Sequence, residues 1–307
     1  MVSDMQNNLI WIRDEILPES EAKVNALSGM AQFGLNVFEG IRCYQADDHK
    51  ISYAFRLHDH LDRLEESCKL IGFKMPVSKR ILISNFNSII LKNNFTSDVA
   101  VRLTIFSDGS GSWHSTSPLS YFIAPVQKER TNISKLIGRS ACISSWVRIS
   151  DNVLPPRAKI GANYINGRFA HMAAISGGYD LPILLNHHGT VSEGPGSCIF
   201  MIKKNKLITP ETSASILESI TRDTILNYAP SLGLEVEEKP IDRTELYLAD
   251  EVFMCGTAAE ITPITSIDQY KIGRGVVGSS TSNLLKMYHK IVIGEISNYR
   301  HWLSKVE

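Results

Sequence analysis

Four short segments of this chain carry side chains whose types and spacing could do chemistry. Lys159 stands in Arg157-Ala-Lys159-Ile-Gly-Ala-Asn-Tyr164, and Glu193 in Val-Ser-Glu193-Gly-Pro-Gly196. Ser219-Ile220-Thr221-Arg222 and Cys255-Gly256-Thr257-Ala258 follow. A lysine amine attacks a carbonyl once its charge is removed, which burial or nearby cations promote. Arg157 before it and a Gly161 turn after it suit a strand end that opens onto a cleft. Hydroxyls and main-chain N–H groups at a helix start hold phosphate, and a Gly-Thr-Ala turn offers peptide N–H groups to a carboxylate. Taken singly, each segment has a plainer reading. Most lysines are surface groups, Glu193 reads as a solvated turn residue, and Tyr164 as an amphipathic core residue.

Together and in this order, the four segments resemble the fold-type IV pyridoxal-phosphate enzymes, and within them the branched-chain amino-acid aminotransferases. The resemblance implies pyridoxal 5'-phosphate as cofactor and Lys159 as the Schiff-base lysine. It makes Glu193 the carboxylate that keeps the ring nitrogen protonated and Tyr164 the donor to the phenolic oxygen. It also gives Arg56, Ile220, Thr221 and Thr257 to the phosphate, Leu217 to the ring face, and Gly196 to the loop beneath it. Gly256, Thr257 and Ala258 would hold the substrate α-carboxylate, Phe38 and the main chain of Gly40 would line the side-chain pocket, and Arg102 would meet a distal carboxylate. An ion pair at a domain interface is the other reading of Arg102. The implied reaction is transamination between an L-amino acid, branched-chain or otherwise apolar, and a 2-oxo acid such as 2-oxoglutarate.

The pocket departs from the pattern at three places, and the phosphate turn at one. Phe33 replaces a usual tyrosine, Ala100 replaces a tyrosine that often precedes the strand arginine, and Gln127 to Arg130 replaces an aromatic-containing segment. Ser219 stands where glycine is common, and serine tolerates positive φ poorly, so an altered phosphate turn is expected. Phe38-Glu-Gly-Ile-Arg42-Cys-Tyr44 favours the branched-chain group over D-amino-acid aminotransferases and aminodeoxychorismate lyases of the same fold. A non-catalytic cofactor-binding protein is the rival of another class, against which the retained Lys159 argues.

Two patterns are set aside. Gly273-Arg-Gly275-Val-Val-Gly278 fits a dinucleotide fingerprint, but the 29 residues that follow Gly278 leave no room for that domain. His187-His188 could suggest a metal, yet adjacent residues in a strand or turn should point apart. No metal is expected.

Periodicity supplies the elements that must position these groups. Leu57, Leu61, Leu64, Cys68 and Ile71 step by four, three, four and three, a helix face with Gly72 placed as its C-terminal cap. A second helix is predicted over Ser78–Asn94 with Ser78 as N-cap, another over Ala162–Ser176 through Ile165, Phe169 and Met172, and others over Ser215–Asn227 and Ser280–Ile293. Val99 to Phe106 alternates as a strand with Ala100, Arg102 and Thr104 on one face. Further strands are predicted at Leu9–Ile12, Leu119–Pro125 and Glu251–Cys255, and three within Asp180–Pro210.

Strands and helices occur in both halves, which predicts α+β. The resemblance implies a small N-terminal α/β domain (1–126), a connecting loop (127–135) and a larger, barrel-like C-terminal domain (136–307), with the cofactor between them. It also implies at least a homodimer, with Asp108–Ser117 as the loop offered to the neighbouring subunit.

Composition excludes several classes. Lys plus Arg and Asp plus Glu are 32 each, so no global field favours nucleic acid or an acidic membrane. No window reaches the length of a membrane helix, and from the polar start no secretory signal is expected. Five scattered cysteines fit buried thiols in the cytoplasm.

Overall fold

The alternating segment beginning at Val99 forms the middle of the first of two sheets. A computed structural model describes residues 8–46, 52–116 and 118–307. Ser117, the last residue of the expected subunit loop, and most of the polar start lie outside the described residues. Strands β1 (Leu9–Ile12), β2 (Glu15–Pro18), β3 (Asn36–Gln45), β4 (Ser52–Phe55), β5 (Val99–Ser107), β6 (Leu119–Gln127) and β15 (Leu303–Lys305) make the first sheet. Its order is β15-β4-β3-β5-β6-β1-β2, and every pairing is antiparallel. Helices α1 (Gly29–Phe33), α2 (Leu57–Leu70) and α3 (Lys79–Asn93) accompany it.

The predicted stripe of α2 is buried: Leu57, Leu61, Leu64 and Cys68 join Val101, Leu103 and Ile105 of β5 in one apolar core. Gly72 takes φ +73°, just beyond the helix C-cap. Ser78 caps α3 as expected, accepting from the Ile81 N–H at 3.4 Å. The first unit consists of the chain up to Arg130, Ala158–Ala162 and Lys290–Glu307.

The second unit, Thr131–Arg157 and Asn163–His289, is built on β7 (Arg139–Ile143), β8 (Leu181–Ile183), β9 (Cys198–Lys203), β10 (Lys206–Thr209), β11 (Glu235–Glu238), β12 (Glu251–Gly256), β13 (Glu260–Ile267) and β14 (Tyr270–Lys271). The order is β11-β10-β9-β12-β13-β7-β8, with β14 beside β13. The β10–β11, β13–β7 and β7–β8 pairs are parallel and the others antiparallel. Helices α4 (Tyr164–Ser176), α5 (Ile220–Tyr228), α6 (Arg243–Tyr247) and α7 (Ser279–Val292) complete a mixed, α+β architecture.

Four expectations are corrected here. Helix α4 exists, but the Ile165, Phe169 and Met172 stripe that predicted it faces outward, 53 %, 45 % and 51 % exposed. The helix packs instead through Gly167, Ala170 and Ala174, and a side chain at Gly167 would strike Pro195 at 2.9 Å. Second, the helix expected from Ser215 starts at Ile220, because Ser215 takes φ +65° after a short 3-10 turn. Third, Ser219 needs no positive φ: at φ −80° it is the α5 N-cap, its hydroxyl accepting from the Arg222 N–H at 3.3 Å. Fourth, the rings of His187 and His188 lie together, with centroids 3.8 Å apart, in the turn before Gly189 (φ +84°).

The glycine-rich decoy has a local explanation. The start of α7 is occupied by the chain's own carboxylate: Glu251 accepts from the Ser280 and Thr281 N–H groups at 3.0 and 2.7 Å. A Cβ at Gly278 would overlap that carboxylate. The anion favoured at this helix N-terminus is therefore already supplied.

Glu260 follows the turn after β12 with φ +52° and is buried. It accepts from the Thr131 N–H at 2.7 Å and lies 3.2 Å from His289 Nε2. Burial alone would raise its pKa, but bonds from His289 and Thr131 outweigh burial and hold it at about 2, against an ordinary 4.5. A depressed carboxyl stabilises the fold above its unfolded pKa, and that contribution is lost as pH falls towards the folded value. At ~1.4 kcal/mol per unit, Glu260 contributes on the order of 3–4 kcal/mol, lost between about pH 4.5 and 2. Urea titrations at about pH 5 and pH 3 should show a smaller acid loss in Glu260→Gln than in wild type. Equal losses would remove Glu260 from this role.

Candidate active site

In the first unit, Lys159 sits at the tip of a tight turn, the Ile160 N–H bonding back to the Ala158 carbonyl at 3.0 Å. Its peptide is held on both sides. The Lys159 N–H donates to Ser67 Oγ of α2 at 3.0 Å, and its carbonyl accepts from the Phe38 N–H of β3 at 3.0 Å. Lys159 Nζ lies 5.1 Å from the centroid of the Phe38 ring.

Arg102 shares that ring, with Cζ 4.0 Å from its centroid. Strand register explains the contact. Arg102 lies directly opposite Gly40, so Phe38 is its diagonal neighbour, within reach of a long side chain. A Cβ at Gly40 would meet nothing within 4 Å, so the glycine leaves space beside the guanidinium. Arg102 is exposed, while Phe33, the first departure from the family pattern, closes α1 and is exposed too.

Arg56 ends the connection before α2 in a left-handed conformation, φ +52°, which costs a non-glycine residue of order 1 kcal/mol. Three contacts hold it there. Its N–H donates to the Trp302 carbonyl at 2.7 Å, its guanidinium lies 4.9 Å from the Trp302 ring centroid, and Nε donates to Asp59 at 2.7 Å.

Three buried residues between β3 and α2 had no signal assigned to them in the sequence. Glu39 is fully buried and accepts from Arg63 Nε and Nη2, both at 2.8 Å. His60 Nδ1 is 2.7 Å from its Oε2. Burial alone would raise the Glu39 pKa, but Arg63 and His60 hold it far below the usual carboxylate range. Burial lowers the pKa of His60 despite Glu39, which favours a neutral ring donating from Nδ1. The available signal was the spacing of His60, Arg63 and Ser67, polar residues that share one face of α2 with its apolar stripe.

In the second unit, Glu193 is buried and paired with Arg148, another residue the sequence reading missed. Arg148 Nε and Nη2 approach Glu193 Oε1 at 2.9 and 2.8 Å. The Leu217 N–H also reaches Oε1, at 3.2 Å, and the Cys198 thiol approaches Oε2 at 3.7 Å. This carboxylate is a fixed, charge-paired group, not a solvated turn residue. Tyr164 begins α4 and is half-buried, and a Cβ at Gly196 would lie 3.5 Å from its ring.

Thr221 is buried in the first turn of α5, beside Ile220. Thr257 and Ala258 lie in the turn between β12 and β13, which follows directly on Gly256. A Cβ at Gly256 would come within 3.3 Å of the Gly196 carbonyl. Among the described residues, no three His, Cys, Asp or Glu gather as a metal site would require.

Each unit thus carries part of the expected donor set: an anchored lysine in the first, and an arginine-paired carboxylate and the start of α5 in the second. The family comparison is specific: residues 36–267 match the model for amino-transferase class IV. The chain belongs to this family. It is 37 % identical over 310 residues to the branched-chain-amino-acid aminotransferase of Escherichia coli (strain K12), covering 97 % of both chains. Among solved structures it matches the branched-chain amino acid aminotransferase from Thermobaculum terrenum in its PLP form at TM-score 0.91 and 39 % identity, covering 98 % of this chain and 99 % of that one. The branched-chain aminotransferase from Thermoproteus uzoniensis, solved with norvaline, matches at TM-score 0.90 and 36 % identity, with the same coverage.

Proposed function

We propose that this aminotransferase depends on pyridoxal 5'-phosphate and moves an amino group between a branched-chain or other apolar L-amino acid and a 2-oxo acid such as 2-oxoglutarate. The observation that carries the reading is identity of 37 % along 97 % of a branched-chain enzyme, together with the donor set that the resemblance assigns. That donor set fits the cofactor's chemistry. Lys159 supplies the amine, Glu193 a fixed carboxylate for the ring nitrogen, and Tyr164 a hydroxyl. Arg56, Ile220, Thr221 and Thr257 supply charge, peptide N–H groups and hydroxyls for phosphate. Leu217 and Gly196 would flank the ring. When bound, the cofactor supplies the electron sink that makes the substrate's Cα–H bond labile.

The chain's own residues do the rest. Lys159 would carry the proton between the substrate carbon and the cofactor carbon, while Thr257 and Ala258 hold the α-carboxylate through peptide donors. Phe38 and the main chain at Gly40 would present an apolar wall, and Arg102 would meet the distal carboxylate of glutamate.

The outward apolar face of α4, extended by Trp146 stacked on Phe169 at 4.9 Å, supports a homo-oligomer, since such patches mark interfaces. Five free cysteines, four of them buried, support a cytoplasmic setting. No described helix is long and apolar enough to cross a membrane.

Single-turnover half-reactions test the substrate reading. Leucine and valine should react well, and 2-oxoglutarate should show a raised KM, because Phe33 and Ala100 lack hydroxyls that would support Arg102. Arg102→Leu should slow the glutamate half-reaction roughly tenfold or more, the worth of a charged hydrogen bond. Leucine should stay within a few-fold of wild type. An equal fall for both would take Arg102 out of distal-carboxylate recognition, and no reaction with any apolar L-amino acid would overturn the substrate class.

A further inference from the structure

We propose that Glu260 is the positioning residue of the Gly256-Thr257-Ala258 turn, holding it so that its peptide N–H groups converge on the substrate α-carboxylate. This rests on the reading of Thr257 and Ala258 as the α-carboxylate donors. Glu260 stands in a conformation that its residue type avoids. It faces Gly256 across the turn and takes φ +52°. A left-handed residue closing a short hairpin loop is normally glycine, which bears no steric penalty there. A glutamate in this place needs compensation, and its side chain supplies it.

The carboxylate is buried, and its Oε2 meets two donors from distant segments. One is the Thr131 N–H at 2.7 Å and the other His289 Nε2 at 3.2 Å. An ionised carboxylate only accepts, so Nε2 carries the proton. His289 lies on α7, and that helix also holds the far end of the same strand. Glu251, the first residue of β12, accepts from the Ser280 and Thr281 N–H groups at the start of α7. The strand entering the turn is thus stapled to α7 at its beginning. The residue leaving the turn is stapled to the same helix about two turns further along.

The turn has little else to fix it. Thr257 is half-buried and Ala258 exposed, so packing on these two residues restrains them weakly. Peptide donors bind an anion well only when they are already aimed at one point. Holding the shoulder at residue 260 keeps them aimed. Glu260 acts through the turn and not on the reacting atoms.

The test titrates the holoenzyme with two halves of leucine, followed by the bound cofactor's visible absorbance. 4-Methylpentanoate keeps the carboxylate and lacks the amine; 3-methylbutylamine keeps the amine and lacks the carboxylate. Glu260→Gly removes the side chain and leaves a residue suited to positive φ. It should weaken 4-methylpentanoate roughly tenfold or more, the scale of a lost charged hydrogen bond, and leave 3-methylbutylamine within about twofold. Glu260→Gln keeps an acceptor in place and should recover most of that loss. If Glu260→Gly does not fold, His289→Leu decides the matter. It removes the α7 staple, leaves the turn's own sequence intact, and should weaken the carboxylate ligand several-fold without weakening the amine. Carboxylate binding unchanged from wild type, or both ligands weakened equally, would overturn the proposal at whatever melting temperature. Ala258→Pro, which deletes one of the turn's own donors, keeps the two readings apart. If it spares 4-methylpentanoate, the turn is not the α-carboxylate site and both readings fall. If it weakens 4-methylpentanoate while Glu260→Gly does not, this inference alone falls.

Discussion

Lys159→Ala should abolish transamination, by roughly four orders of magnitude or more, while the protein still folds and still retains some pyridoxal 5'-phosphate. The side chain removed is half-buried, but its peptide keeps both anchors, since Ser67 and Phe38 bond main-chain atoms. Folding is thus insulated from the substitution. Cofactor binding should be insulated in part, because the proposed site gives Arg56, Thr221 and the α5 N-terminus to the phosphate rather than to the reactive carbon. What the proposal assigns to Lys159, nucleophile and proton carrier, disappears together. The bound cofactor should then be extractable after borohydride treatment, whereas in wild type it should be fixed to one peptide containing Lys159. Residual turnover within tenfold of wild type would refute the assignment.

Glu193→Gln should have the second-largest effect. A carboxylate opposite a ring nitrogen typically moves its pKa by about 1 to 3 units, so the neutral amide should slow the chemical step roughly 10- to 1000-fold. Cofactor affinity should change far less. The surroundings add a second consequence. Arg148 points two nitrogens at Glu193 Oε1 and is itself buried, so the variant leaves a guanidinium without its counter-charge. Breaking one side of such a pair destabilises strongly, by about 3–5 kcal/mol where burial is complete. Melting temperature should fall alongside kcat, and Arg148→Met in the Glu193→Gln background should restore stability without restoring rate. A single variant with wild-type kcat would show that the ring nitrogen is governed by another group.

The parts legible in the sequence were those fixed by local rules. Ser78 capped α3 because a cap needs one hydroxyl at one place, and β5 followed from strict alternation. Lys159 and Glu193 were legible as motifs, but nothing nearby in sequence announced what holds them. Arg148 lies 45 residues from Glu193 and Ser67 lies 92 from Lys159, pairings that only tertiary folding creates. Periodicity also misled at α4, where it found the helix and chose the wrong face as buried. Small residues pack that helix closely against its sheet, and the large apolar ones remain for another surface. At Ser219 the inference from glycine to strain failed because a serine hydroxyl serves as a helix cap at negative φ. The return of Ala158–Ala162 and of the last residues to the first unit had no compositional mark at all.

That return has a bearing on how the protein is made. Trp302 and β15 complete the surroundings of Arg56: the Trp302 carbonyl takes the Arg56 N–H, and Leu303 pairs with Phe55 on β4. A ribosome delivers β4 long before β15, at about 5–20 residues per second. Until β15 emerges, the nascent sheet ends in β4, an unpaired edge that invites mispairing. The left-handed arginine beside it has neither its main-chain acceptor nor its indole. The surroundings of Arg56 are therefore complete only after β15 has been made.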